Sequence, residues 1–109
     1  MTLDHPSRTA EERLVPLDQS MLSEGLADVR WRLHREVLSG ARWIVVDLTR
    51  VTRLASPALA SFLWAHRVCR ARGGGVELRG ADRRVRAVLH RTGLDHVLQV
   101  RAAPGRWAA

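Results

Sequence analysis

The chain has 109 residues, of which 46% are hydrophobic and 27% charged, and it carries one cysteine, Cys69. This composition is typical of a single globular domain and predicts neither a disulfide framework nor a cysteine metal cluster. The net charge is +7. No apolar run reaches the ~18 residues of a membrane span, and the polar N-terminus lacks the pattern of a signal peptide, so the sequence predicts a cytoplasmic protein.

The first third of the chain predicts an arm, a strand and a helix. Residues 1–12 contain few apolar side chains and are expected to form a flexible arm. The segment RLVPLD, 13–18, is a short strand that Pro16 confines to a sheet edge or a bulge. A helix is predicted from Ser20 to Ser39, because apolar residues recur there every three or four positions: Leu22, Leu26, Val29, Leu33 and Val37.

The middle of the chain predicts a buried strand followed by a helix. WIVVDL, 43–48, is a nearly continuous apolar run, which indicates a strand covered on both faces in a parallel sheet. A helix then begins at Ser56 and runs to about Arg72, where the glycines at 73–75 end it.

The last third predicts two strands around a short helix. VELRG, 76–80, alternates like a strand near a sheet edge, Asp82 caps a short helix that Gly93 ends, and HVLQV, 96–100, forms a last short strand or a turn. Residues 102–109 are expected to be a tail. The order β-α-β-α-β-α-β predicts one α/β domain over 13–101, with a small, mostly parallel central sheet and helices packed on it.

Several short motifs occur in an order that resembles the STAS domain of bacterial anti-sigma factor antagonists. They are Asp47-Leu48-Thr49, Leu59 in the following helix, Arg72-Gly73-Gly74 and Thr92-Gly93-Leu94. The resemblance covers roughly residues 13–100. In the family, an Asp-Ser-Ser-Gly-Leu segment opens the helix; here Ser56 is kept, while Ala55, Pro57 and Ala58 replace its neighbours.

The resemblance implies a regulatory module that binds proteins in a partner-switching system. The expected partner is an anti-sigma factor that is also a histidine-kinase-like serine kinase, with Ser56 as the candidate phosphorylation site and a PP2C-type phosphatase to reset it. An alternative is an unphosphorylated STAS subunit or scaffold in a phospholipid ABC-type transport complex or a sensory complex. A third hypothesis, a basic nucleic-acid binder, has only the net charge in its favour, because no interleaved aromatic pattern accompanies the arginines.

Two interpretations of Ser56 stay open. Serine before proline is typical of a helix start, since the hydroxyl caps the first turn and proline suits the first helical position. A helix start also stabilises anions, and Arg53 or Arg50 could pair with a phosphate on Ser56.

Two further residues are candidates for partner binding. Asp47 is expected near the carboxyl end of the central strand, where it either caps a loop or meets a partner. Trp64 falls away from the apolar face of its helix, as exposed interface tryptophans do. The histidines show no metal spacing, and no nucleophile and base stand in a suggestive pattern. The sequence therefore predicts neither an enzyme nor a cofactor or metal site.

Overall fold

The computed structural model describes residues 12–24 and 26–102. Of the predicted arm over 1–12 and the predicted tail over 102–109, residues 1–11 and 103–109 lie outside the described residues, whereas Glu12 belongs to the first strand and Ala102 to the last. The elements in chain order are β1 (Glu12–Asp18), α1 (Gln19–Ser23), α2 (Ala27–Leu38), β2 (Trp43–Arg50), α3 (Ser56–Ala71), β3 (Gly75–Ala81), α4 (Arg83–Arg91) and β4 (Gln99–Ala102), with a 3-10 turn at Leu94–His96 before β4.

The four strands form one sheet in the order β1-β2-β3-β4, and every neighbouring pair is parallel. Parallel neighbours need a crossover connection, and such crossovers are right-handed in nearly all proteins. Three successive right-handed crossovers in one direction place their helices on the same face of the sheet. The α/β fold with a parallel sheet is therefore confirmed, and β1 lies at an edge with a register shift at Pro16, as predicted.

The core lies between that helical face and the sheet. Alternate residues of β2, namely Ile44, Val46 and Leu48, are completely buried, and Val29, Leu33 and Phe62 of the covering helices pack in the same cluster. Full burial of such a side chain stabilises the fold by about 1.5–3 kcal/mol. Packing of these residues fixes the position of α2 and α3 over the centre of the sheet.

The opposite face of the sheet carries a buried acidic residue. Val45 and Glu77 occupy paired positions on this face and are 1% and 0% exposed. The Glu77 carboxylate accepts a hydrogen bond from Arg79 at 3.0 Å and pairs with Arg101, also at 3.0 Å. The two guanidinium groups offset the cost of removing the carboxylate from water. The alternating pattern of VELRG therefore did not predict that its glutamate is fully buried.

The predicted helix from Ser20 to Ser39 is in fact two helices, α1 and α2. Asp18, and not Ser20, caps the first one: the Asp18 carboxylate accepts hydrogen bonds from the Met21 N–H at 3.0 Å and the Ser20 hydroxyl at 2.7 Å. These bonds hold the pKa of the Asp18 carboxyl below its usual range. The apolar spacing continues across the break, so periodicity alone did not reveal it. Gly25 lies outside the described residues.

The last strand also differs from the prediction. Instead of pairing over 96–100, the chain makes the 3-10 turn at Leu94–His96 and pairs over Gln99–Ala102. Gly93 allows this turn through its positive φ of 80°. Leu98 is only 3% exposed because it packs in the core from the connecting segment. Its apolar character therefore reflects core packing before β4 begins.

The three glycines after α3 return the chain to the sheet, where β3 begins. The Gly75 N–H donates to the Arg42 carbonyl at 2.9 Å, which opens the β2–β3 pairing. Arg72 donates from its side chain to the carbonyls of Val37 and Ala41 at 2.7 and 3.1 Å. A Cβ on Gly74 would overlap the Arg42 carbonyl. The glycine at position 74 is thus needed for close backbone approach.

Gly74→Ala should destabilise the protein by about 3 kcal/mol or more, because strand β2 must move away from the added methyl group. Gly40→Ala is the matched control: Gly40 has φ 90°, but no atom lies within 4 Å of the position that a Cβ would take there. That variant should lose only about 1–2 kcal/mol of stability, because alanine is strained at this positive φ. Urea unfolding of both variants gives the comparison, and equal losses would contradict the close-approach argument.

The half-buried His66 predicts a pH dependence of stability. Its Nδ1 accepts a hydrogen bond from the Val76 N–H at 3.1 Å, so the ring is a satisfied histidine at the rim of the core. Burial, with a smaller contribution from the charge of Arg70, lowers the pKa of His66 below its ordinary 6.5. The folded protein therefore binds this proton less readily than the unfolded chain, and stability should fall as the pH drops below 6.5.

His66→Asn keeps a carbonyl acceptor near the position of Nδ1 but cannot titrate. Its stability should consequently decline less steeply than that of the wild type between about pH 7 and pH 5. Chemical denaturation at several pH values measures the two slopes. Identical slopes would show that protonation of His66 does not govern this range.

Candidate functional site

Asp47 lies near the carboxyl end of β2 and forms hydrogen bonds there. One oxygen of its carboxylate accepts hydrogen bonds from the Thr49 N–H at 2.9 Å and the Thr49 hydroxyl at 2.6 Å. The Thr49 hydroxyl in turn lies so close to Gly80 of β3 that a Cβ there would collide with it. Asp47 thus bonds to Thr49 within β2 and not to the following loop, and its contact with a partner stays a prediction.

The loop 51–55 connects β2 to α3 and is hydrogen-bonded to Gln19, the first residue of α1. The side-chain carbonyl of Gln19 accepts hydrogen bonds from the backbone N–H groups of Thr52 and Arg53 at 2.8 and 2.9 Å, and from the Thr52 hydroxyl at 3.1 Å. Val51 and Leu54 anchor the same loop in the core. Sequence reasoning missed Gln19, because nothing in the local pattern links residues more than 30 positions apart.

Helix α3 begins one residue earlier than a Ser56 cap requires. The backbone of Ala55 is extended, and its carbonyl accepts the N–H groups of Ala58 at 3.0 Å and Leu59 at 3.3 Å. Ala55 is therefore the N-cap, and Ser56 and Pro57 are the first two helical residues. The prediction that Ser56 caps the helix is wrong, because the first helical carbonyl belongs to Ala55, which has no side-chain acceptor.

This shift frees the Ser56 hydroxyl. Ser56 is exposed, and its side chain forms no hydrogen bond with the described residues. The first turn offers few hydrogen-bond donors to an anion. Pro57 has no N–H, and the N–H groups of Ala58 and Leu59 already donate to the Ala55 carbonyl. A phosphate on Ser56 would consequently depend on the helix dipole and on arginines such as Arg53 more than on free backbone donors.

Trp64 lies two turns along α3 and remains 41% exposed. Its indole stacks on the ring of His34 from α2, with centroids 5.4 Å apart and planes inclined by 12°. The expectation that Trp64 points away from the core is therefore confirmed. Trp31, on the same helix as His34, is 60% exposed.

A groove of about 550 Å³ runs between α2 and α3, from Pro57 to Trp64. Its lining residues come equally from the two sides: Leu26, Arg30, Leu33 and His34, and Pro57, Ala60, Ser61 and Trp64. Pro57 follows Ser56 directly, so one end of the groove lies at the predicted phosphorylation site.

Three of the four predicted residues lie near the junction of β2 and α3, and the fourth lies further along that helix. Asp47 lies near the end of β2, Arg53 lies in the following loop and Ser56 opens α3, while Trp64 lies about 12 Å further along that helix. Within residues 12–24 and 26–102, no three potential metal ligands cluster. Burial raises the pKa of the Cys69 thiol, which makes it a poor nucleophile.

None of the described helices is both long and apolar enough to cross a bilayer.

Comparison with solved structures finds two determinations of TM1081, a candidate anti-sigma factor antagonist from Thermotoga maritima. The crystal structure aligns with a TM-score of 0.64 and 17% identity over 84% of this chain and 73% of TM1081. The NMR structure aligns with a TM-score of 0.71 and 16% identity over 94% and 78%. Identities this low establish a shared fold alone.

No curated protein matches the sequence. A family model described as "Mlab, STAS domain" matches residues 5–100. This range covers most of the chain and includes every strand and helix up to the start of β4. The chain belongs to the STAS domain family.

Proposed function

We propose that this protein is a non-catalytic regulatory module that binds a protein partner, and that it does so with the surface around the start of α3. The exposed, stacked Trp64 beside an open groove carries the proposal. A half-exposed indole held by its neighbour gives a large rigid contact area at little entropic cost, as tryptophans at interface hot spots do. The loop held by Gln19 supplies an ordered edge to the same surface.

The finer proposal is an anti-sigma factor antagonist in a partner-switching system. Its partner is an anti-sigma factor with histidine-kinase-like serine kinase activity, and a PP2C-type phosphatase reverses the modification of Ser56. The exposed Ser56 hydroxyl, free of hydrogen bonds to described residues, supports this assignment, because a kinase needs an accessible acceptor. Arg53, three residues earlier, supplies positive charge near the phosphate.

The second candidate is an unphosphorylated subunit or scaffold of a transport or sensory complex. The start of α3 supports it: Ala55 has no polar side-chain group to orient the serine, and Pro57 removes a backbone donor that a phosphate would use. Both candidates share the docking surface and differ only in the modification of Ser56.

The identity of the partner decides between the two candidates. The purified protein serves as bait, bound proteins are identified by mass spectrometry, and each is then purified and titrated. A histidine-kinase-like ATPase that binds directly supports the switch, and a transporter ATPase supports the subunit. If no purified protein binds directly with a Kd below about 100 μM, the proposed function is wrong.

Ser56→Ala and Ser56→Asp separate binding from stability. Because Ser56 is the first helical residue and not the cap, alanine should change stability by less than about 0.5 kcal/mol. Aspartate should fold at least as well as serine, since its charge suits the helix N-terminus. If Ser56 is a switch, Ser56→Asp should weaken partner binding at least tenfold while Ser56→Ala binds like the wild type.

Intact-mass measurement after incubation with the purified kinase partner and ATP completes this test. One added phosphate on the wild type and none on Ser56→Ala is the expected result. Unmodified wild-type protein, together with normal binding by Ser56→Asp, would exclude the switch and leave the unphosphorylated subunit.

Trp64→Ala should weaken partner binding by about tenfold or more, because interface tryptophans commonly contribute ~2 kcal/mol. The fold should be retained, since Trp64 is 41% exposed and its main aromatic contact is His34. Trp31→Ala is the matched control, a tryptophan 60% exposed on the neighbouring helix but outside the groove. Equal binding losses in both variants, measured by calorimetric titration, would contradict a specific role for Trp64.

A further inference from the structure

We infer that the groove between α2 and α3 binds an acidic amphipathic helix of the partner. The inference rests on the proposed function in one respect, that the partner is a protein. It adds the chemical nature of the partner segment and the residues that select it.

The shape of the groove suits a helix of about two turns. Four positions from Leu26 to His34 face four on α3, from Pro57 to Trp64, so the groove is about 10–12 Å long. Leu33 is completely buried and forms the floor, while the Trp64–His34 stack closes one end. The Ser61 hydroxyl donates to the Pro57 carbonyl at 3.2 Å, so it is already satisfied within α3. The groove therefore offers mainly apolar contact to an occupant.

An extended strand would not fit this surface. Strand addition depends on free backbone donors and acceptors at a sheet edge, and both walls here are helices whose backbone groups bond internally. A helix needs no such backbone contacts and presents apolar anchors at intervals of three and four residues. These two points favour a helical occupant over an added strand.

The charges around the groove select an acidic partner. Arg30 and His34 are the ionisable residues among its lining, and α3 contains no aspartate or glutamate in its whole length. Of the acids on α2, Glu36 lies near Arg13 and Arg35, at 3.8 and 3.9 Å. Asp28 lies on the far side of the helix from Arg30, two residues and about 200° away. Carboxylates flanking the apolar anchors of a partner helix would thus meet Arg30 without repulsion.

This arrangement also explains what modification of Ser56 would do. Ser56 precedes Pro57 at the open end of the groove, so a phosphate there adds negative charge beside the acidic helix. Repulsion between like charges across an interface weakens binding. A neutral or basic partner segment would not be released in this way.

Two synthetic peptides test the inference. Each is an amidated helix of about 16 residues, long enough to form the two turns that the groove accepts, with leucines at every third or fourth position. One carries glutamates at the flanking positions and the other lysines. Amide NMR spectra of the labelled full-length protein report binding. The glutamate peptide should shift signals of residues 26–34 and 57–64, and the lysine peptide should bind at least tenfold more weakly.

Charge reversal gives the decisive comparison. Arg30→Glu should weaken binding of the glutamate peptide at least tenfold. The lysine peptide should then bind this variant as tightly as the glutamate peptide does, or more tightly. Arg35→Glu is the matched control, since Arg35 is exposed on the same helix but does not line the groove. It should change both affinities less than threefold. Thermal unfolding of each variant checks that the fold is kept.

Three results would overturn the inference: no shifts in the groove with about 1 mM glutamate peptide, equal binding of both peptides, or an unchanged preference in Arg30→Glu. Tighter groove binding by a single-stranded oligonucleotide would overturn it as well and favour a nucleic-acid ligand stacked on Trp64. These outcomes are distinct from failure of the proposed function. A purified partner that binds wild type and Arg30→Glu equally leaves the function intact and excludes the groove.

Discussion

The rest of the structure depends on the parallel pairing of β2 between β1 and β3. Because each connection must return over the sheet with the same hand, the covering helices share one face and α2 lies beside α3. The groove is a direct consequence: two parallel helices whose small residues, such as Ala60, leave space between them at the N-terminal end of α3. On the other face of the sheet, arginines of β3 and β4 neutralise the buried Glu77.

The same pairing places the carboxyl end of β2 where a partner can reach it. Loops at this end of a parallel sheet are held by the strand ends but are not covered by the crossovers. Here Val51 and Leu54 anchor the loop 51–55 in the core and Gln19 bonds to its backbone, while the other residues of the loop remain exposed. Ordering the loop before binding reduces the entropy lost on association. Ser56 follows immediately and remains exposed.

The helix start at α3 combines two opposing effects. An uncapped Ala55 forgoes about 1 kcal/mol that an aspartate or serine cap would contribute. Pro57 compensates in part, because its fixed φ restricts the unfolded chain and its missing N–H loses no bond in the first turn. The resulting start is rigid but poor in donors, so its affinity for an anion comes mainly from the dipole and neighbouring arginines.

The sequence by itself determined the order of strands and helices, the parallel sheet and most of the core, because those features follow from local periodicity and from short motifs. It also placed Trp64 off the core face, since helical geometry fixes that from spacing alone. It did not reveal the break between α1 and α2, the Ala55 cap, the contacts of Gln19 or the burial of Glu77. Each of these depends on which distant groups meet: Gln19 reaches a loop more than 30 residues away, and the buried Glu77 pairs with Arg101 of the neighbouring strand. Whether a buried polar group stabilises the fold depends on partners that are distant in the sequence, and a local sequence pattern does not identify those partners.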